Sequence, residues 1–218
     1  MPAPPARASL YPTKSSAGAL LGQQLAARGL QSALLLGITP DGVEVAAHAA
    51  RAMGAAFDVL VACFIRLGSN LAPIGALAED VPAEMDPEFE PGMNLLEKLQ
   101  AAIDESRARV RQDLVLYRTQ RPVKQLAGRC AVIVDGQVIY PWKVLAAAKV
   151  AERLGARQVA IATPVATEAA ADRIRARQYP LVCPSVVVDP KGHPSPYGDS
   201  GDDTPERLKS ILIAHQAA

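Results

Sequence analysis

The chain has 218 residues, half of them apolar and 4% aromatic, with 23 basic and 22 acidic side chains for a net charge of +1. That length suits one domain with a full core of Ala, Val, Leu and Ile. The balance excludes the charge footprint of a nucleic-acid binder or a polybasic membrane surface, and no apolar run approaches the ~18 residues of a membrane span.

Residues 1–12 carry four prolines and little pattern, and are expected to form a flexible arm. Residues 13–218 are expected to form a single domain. Ser16 reads as the cap of a helix that buries Leu20, Leu21 and Leu25, with Gly29 after its end. A short strand over 33–36 follows, then a turn at Thr39-Pro40-Asp41-Gly42 and a helix over 43–53 stopped by Gly54. The apolar run 58–64 predicts one strand. Residues 65–94 are dominated by Gly, Pro and acids, and read as an insertion or hood with a small hairpin around Ile74-Gly75-Ala76-Leu77.

An amphipathic helix is predicted over 95–117, with Leu95, Leu99, Ala102, Val110, Leu114 and Tyr117 near one face. Beyond it come a strand over 131–134, a helix over 143–154, a strand over 159–162 and a helix to Arg177 capped by Thr167. A strand over 182–188 and a final helix announced by Thr204-Pro205 complete the pattern. Strands alternating with helices, apolar without a period of two, predict an α/β protein in three layers: a mostly parallel sheet with helices on both faces. Ligands of such sheets bind at the carboxyl ends of strands, here the loops after Leu36, Phe64 and Val134.

The loop after Val134 carries the most chemistry. A buried strand ends in Asp135, the loop Gly136 to Trp142 follows, and a helix opens near Lys143. Strand, acid, loop and helix N-terminus form a common frame for phosphate and nucleotide sites. Asp135 reads as an acid of such a site or as a strand-ending polar residue. Lys143, a cation at a helix start, points to an anion or is a solvated lysine. Tyr140 and Trp142 stack a flat ligand, plug a pocket or meet a second subunit. Arg66 touches an anion or ties its own loop. Asp41 reads as the cap of the helix at Val43, or as a residue that binds a cation or a hydroxyl.

Other chemistries are poorly supplied. Cys63, Cys130 and Cys183 are widely spaced in apolar surroundings and read as buried free thiols of a cytosolic protein. No charged start precedes an apolar signal core, so the cytoplasm is the expected location. His48, His193 and His215 have no zinc-ligand spacing. Asp199, Asp202 and Asp203 lack the ordered spacing of a calcium loop and read as helix-start and solvent residues.

Several segments resemble the type I phosphoribosyltransferase family, in particular its bacterial stand-alone branch. Phe57 to Val61 resembles the family's second strand, and Ile74-Gly75-Ala76-Leu77-Ala78-Glu79 is similar to that branch's I-G-A-V-A-E. Tyr117-Arg118 with Arg121-Pro122, then Leu126-Ala127-Gly128-Arg129, resembles the approach to its signature strand. The family's signature continues V-D-D-G-x-x-T-G-x-T, wrapping the 5′-phosphate of phosphoribosyl pyrophosphate (PRPP) and reaching the ribose hydroxyls with two acids. Here Val132 to Asp135 matches. Gly136 then takes the place of the second acid, Tyr140 stands near a loop threonine, Pro141 replaces the glycine, and Trp142 and Lys143 follow. The pyrophosphate loop, roughly P-R-G-G in the family, reads Thr39-Pro40-Asp41-Gly42, with Pro40 in place of the cation. Cys63-Phe64 falls at the family's Arg-Lys, leaving Arg66 as the nearby cation.

The resemblance implies a nucleotide or phosphosugar ligand, with Mg²⁺ and basic groups holding pyrophosphate whenever PRPP is bound. The altered loops imply weakened PRPP binding and a binding, regulatory or scaffolding role. An active transferase with an atypical site, and a different enzyme on the same frame, stay open beside it. A pocket closed by Trp142 would leave a homo-oligomer interface as the remaining surface. No nucleic-acid or membrane partner is expected.

Overall fold

The computed structural model describes residues 9–118, 126–188 and 195–215. Its centre is a five-stranded, all-parallel sheet in the order β10-β8-β7-β2-β3. The strands are β2 (Leu34–Ile38), β3 (Ala56–Leu60), β7 (Cys130–Val134), β8 (Gln158–Ala162) and β10 (Leu181–Val182). Alternate residues feed two cores. Leu35, Val132, Val134, Ala160 and Ala162 face one side, where α1 (Lys14–Ala26), α2 (Asp41–Met53) and α6 (Pro205–Ala214) pack. Leu34, Leu36, Ile133 and Ile161 face the other, under α4 (Trp142–Arg153) and α5 (Glu168–Ala176). Both faces are apolar because both are covered, so no polar–apolar alternation marks these strands. The expected three-layer α/β architecture is the one observed.

Local signals set the helix ends. Thr13 and Ser16 form a reciprocal capping box for α1, so the helix starts two residues before Ser16, and Leu20 points outward while Leu21 and Leu25 are buried. Gly54 closes α2 in the left-handed conformation at φ 65°. Thr167 caps α5 through the Ala170 N–H, and Pro205 opens α6. Residues 1–8 of the expected arm lie outside the described residues, as do Arg121-Pro122 and His193. The arm's end is corrected: β1 (Tyr11–Thr13) pairs in parallel with β12 (Tyr197–Asp199), and the Tyr11 ring is buried.

Two apolar segments divide differently from expectation. The run over 58–64 is cut at Val61. β3 stays in the main sheet, while β4 (Ala62–Ile65) joins an antiparallel sheet with β5 (Gly75–Ala78) and β6 (Glu84–Met85). This small three-stranded sheet, the hood, begins its first strand just before the 65–94 segment. The last apolar run divides likewise into β10 and β11 (Ser185–Val187), the latter pairing with β9 (Val165–Thr167). The long helix α3 (Leu96–Arg118) buries only Ala102, Ser106, Val110 and Tyr117. It is tied to the hood and sheet at its C-terminal end. Arg118 meets Asp58 at 3.1 Å and Glu79 at 3.4 Å, all three nearly buried. Burial pushes the Glu79 carboxyl up and Arg118 pulls it back down.

Candidate functional site

The carboxyl ends of β2, β3 and β7 meet the N-termini of α1, α2 and α4, with the hood alongside. α2 lies directly on the end of β7. A Cβ at Gly42 would stand 2.3 Å from the Val134 carbonyl oxygen and 3.0 Å from Asp135 Cα. One at Gly136 would stand 2.9 Å from the Asp41 carbonyl oxygen and 3.0 Å from Asp41 Cβ. Both glycines permit one close approach of two loops.

Asp135 is 2% exposed. Its Oδ1 accepts the Gly136 N–H at 2.9 Å, and its Oδ2 pairs with Lys143 Nζ at 3.1 Å. Burial pushes its carboxyl pKa up, Lys143 draws it back down, and the Asp41 charge raises it further. Lys143 is 7% exposed, in the first turn of α4, with its ammonium 5.1 Å from the centre of the Phe64 ring. Arg66 lies over the same ring at 5.1 Å and donates to the Leu71 carbonyl at 2.6 Å. The Tyr140 ring meets Phe64 edge-on.

Two connected hollows flank this cluster and share Asp41, Phe64, Arg66 and Lys143. The smaller holds about 320 Å³ and is bounded further by Lys14, Tyr140, Tyr197 and Asp203. The larger holds about 770 Å³ between the hood and α3, with Thr39, Pro40, Cys63, Lys98 and Arg109 in its wall. In the smaller lobe Lys14 is buried; its Nζ donates to Asp203 Oδ1 at 2.6 Å and lies 3.7 Å from Asp41 Oδ1. Burial raises the Asp203 carboxyl, and the Lys14 contact opposes it. The Tyr197 hydroxyl donates to the Gly136 carbonyl; burial, then the charges of Asp135 and Asp41, push its pKa far up. In the larger lobe Thr39 Oγ1 is buried without a hydrogen-bond partner among the described residues. The Cys63 thiol, only half-buried, donates to the Ser106 carbonyl at 3.3 Å and is pushed up by burial.

In the loop over 136–141 some backbone N–H groups are committed and others are not. The Val138 N–H is spent on the Val165 carbonyl at 2.9 Å, and Pro141 has none. The N–H groups of Gln137, Ile139 and Tyr140, all at the smaller lobe, have no partner among the described residues. No side chain caps α4.

The sequence-predicted residues separate into groups. Gly136, Tyr140, Lys143, Asp41 and Arg66 line the two lobes, Pro40 reaches the larger one, and Asp135 lies buried against Lys143, lining neither. Two placements correct expectation. Trp142 plugs no pocket: it is 3% exposed in the core beneath α4, with Arg173 over its ring at 5.2 Å. Pro141 turns the chain, so Tyr140 and Trp142 leave it in different directions. Asp41 does not cap Val43, because α2 already begins at Asp41, with Pro40 at the cap position and no side-chain cap bond. Gly42 lines neither lobe; it carries the helix-on-strand contact. Sequence reasoning missed Lys14, Thr39, Tyr197 and Asp203. A lysine in the first turn of a helix, against the dipole, was the one available signal for Lys14.

A parallel sheet with a hood and a strand–acid–loop–helix site at its carboxyl edge defines an α/β protein of the phosphoribosyltransferase kind. The chain is 30% identical to TT1426 from Thermus thermophilus, whose crystal structure matches it with a TM-score of 0.76 over 94% of this chain and 98% of that one. It is 29% identical over 178 residues to two Mycobacterium tuberculosis proteins, from strains CDC 1551 and H37Rv, each named "Putative phosphoribosyl transferase". That alignment spans 80% of this chain but only 40% of each of those proteins. No family model matches. By the names of those relatives the chain is phosphoribosyltransferase-like.

Proposed function

We propose that this chain is a phosphoribosyltransferase-fold binding protein, which takes a phosphorylated sugar or nucleotide and does not carry out ordinary transfer from PRPP. One observation carries this. The single acid retained from the family signature, Asp135, is buried against Lys143 at 3.1 Å, and the position of the second is Gly136, closed off by Asp41. The ribose clamp of the family therefore has no free carboxylate. Each charge-assisted hydrogen bond it lacks would be worth about 1.5–3 kcal/mol. Phosphate recognition is better supplied, with Lys143 and three residues whose backbone N–H groups have no partner among the described residues bordering the smaller lobe.

Calorimetric titration with ribose 5-phosphate, adenosine monophosphate and PRPP tests the proposal. Saturable binding of a phosphomonoester is expected, with PRPP binding no more tightly in the presence of Mg²⁺. Pyrophosphate release from PRPP with any member of a nucleobase panel would overturn it.

One observation favours a second reading, an active transferase with an atypical site. Arg66, Lys98, Arg109 and Lys143 all border the larger lobe and supply cations that the altered loops lack. The same pyrophosphate assay distinguishes the two readings. A regulatory or scaffolding role, a cytoplasmic location and a homo-oligomeric state remain part of the proposal. Among the described residues no helix is long and apolar enough to cross a membrane.

A further inference from the structure

The family resemblance implies Mg²⁺ in company with PRPP, and the carboxylates of this site do not fit it. Asp135, Asp41 and Asp203 already share two internal ammonium groups. Lys143 Nζ lies 3.1 Å from Asp135 Oδ2; Lys14 Nζ lies 2.6 Å from Asp203 Oδ1 and 3.7 Å from Asp41 Oδ1. Both lysines are more than nine-tenths buried. At position 136 there is neither a carboxylate nor room for one. Mg²⁺ demands near-ideal octahedral oxygen geometry at about 2.0–2.1 Å. To use Asp135 or Asp203 it would have to displace a buried ammonium, leaving that charge uncompensated, and the half-exposed Asp41 alone offers it a single carboxylate.

We propose that Lys143 supplies, in this chain, the positive charge that Mg²⁺ supplies in the family, so that the phosphorylated ligand is held without a divalent cation. This rests on the binding function proposed above. Lys143 stands at the junction of the two lobes and lines both. A phosphate on the N–H groups of Gln137, Ile139 and Tyr140 lies on one side of it. The larger lobe, bordered by Arg66, Lys98 and Arg109, lies on the other and has room for a second polar group. The cation–π contact with Phe64 holds the ammonium at that junction.

Titration of the full chain with ribose 5-phosphate, once in EDTA and once in excess Mg²⁺, tests the proposal. Equal affinity in the two buffers is the expected result. Binding that requires Mg²⁺ overturns the metal-free role of Lys143 while the binding function stands; no binding in either buffer overturns both. The double variant Lys143→Met with Asp135→Asn removes the charge without stranding its partner. It is expected to lose about ten- to a hundred-fold in affinity in EDTA. Unchanged affinity in a folded double variant overturns the assignment of Lys143, and the metal dependence of the parent decides the matter should that variant not fold.

Discussion

Replacing Gly136 by Asp would return the second acid of the family signature, and it is expected to cost stability without returning chemistry. The new Cβ falls 2.9 Å from the Asp41 carbonyl oxygen and 3.0 Å from Asp41 Cβ. Neither neighbour is the far end of a flexible side chain; both belong to the first residue of α2. That helix has no slack toward the sheet, since Gly42 already brings it against the Val134 carbonyl. Relief means moving its first turn off β7, and overpacking of this kind costs ~1–3 kcal/mol. The added carboxylate also sits beside Asp135 and Asp41, where burial already opposes negative charge on Asp135. For a chain of this size each kcal/mol lowers Tm by about 2–4 °C, so the variant should melt roughly 2–12 °C below the parent. Gly136→Ala adds the Cβ without the charge, and should show the steric part alone. Calorimetric melting of the three proteins, with a pyrophosphate-release assay beside it, measures both consequences. Should Gly136→Asp melt with the parent and release pyrophosphate from PRPP, the reasoning is refuted, because the acid would then fit the loop as it stands.

Trp142→Ala should destabilise by about 3–5 kcal/mol in urea unfolding, as a buried aromatic does, whereas Tyr140→Ala should change stability by less than ~1 kcal/mol; comparable small effects at both positions would contradict the core placement of Trp142. Arg118→Met leaves Asp58 and Glu79 buried without their cation and should cost about 3–5 kcal/mol; a loss under ~1 kcal/mol would show that the triad contributes little. The raised carboxyls of Glu79, Asp113, Asp135 and Asp203 bind protons more tightly in the native than in the unfolded chain. Their linkage makes stability fall as pH rises from about 4 through their folded-state range. His48, lowered by burial, acts oppositely: stability rises with pH as its unfolded form loses its proton near 6.5. Urea unfolding across this range should therefore show a decline above about pH 4 that eases near pH 6.5; stability climbing steadily from pH 4 would contradict the carboxyl shifts.

The fold was legible because its signals are local. Gly54, Thr167 and Thr204-Pro205 mark helix ends within a few residues, and unbroken apolar runs at β2, β7 and β8 mark strands covered on both faces. The cut at Val61 was not legible, since Val61, Ala62 and Cys63 continue the apolar run of β3 without a turn residue. What diverts the chain is remote: the Val61 N–H is taken by Glu79 Oε1 at 2.8 Å, and Ala62 pairs with Ala78 in the hood. The site was half legible for the same reason. Asp135 and Lys143 lie eight positions apart on one strand–loop–helix unit, and their nearness follows from that geometry. Lys14 and Asp203 lie 189 positions apart, joined only because β1 pairs with β12 and brings the C-terminal segment over the smaller lobe.

The two altered motifs behave as one change in the folded chain. Read along the sequence, Gly136 and Pro40, where the chain departs from the motifs it resembles, look independent, separated by nearly a hundred residues. In the structure residues 41 and 136 are in contact, and a side chain at either glycine, 42 or 136, would push α2 and the loop after β7 apart. An acid at 136 needs α2 withdrawn; α2 seated on β7 requires glycine at 136. Asp41, brought to the edge of the smaller lobe by that seating, sits near Lys14, and Asp135, left without its neighbouring acid, pairs with Lys143. Restoring either motif alone therefore meets the other. Combining Gly136→Asp with a cation at position 40 would leave the 2.9 Å contact at Asp41 in place, so seating both side chains requires the first turn of α2 to move.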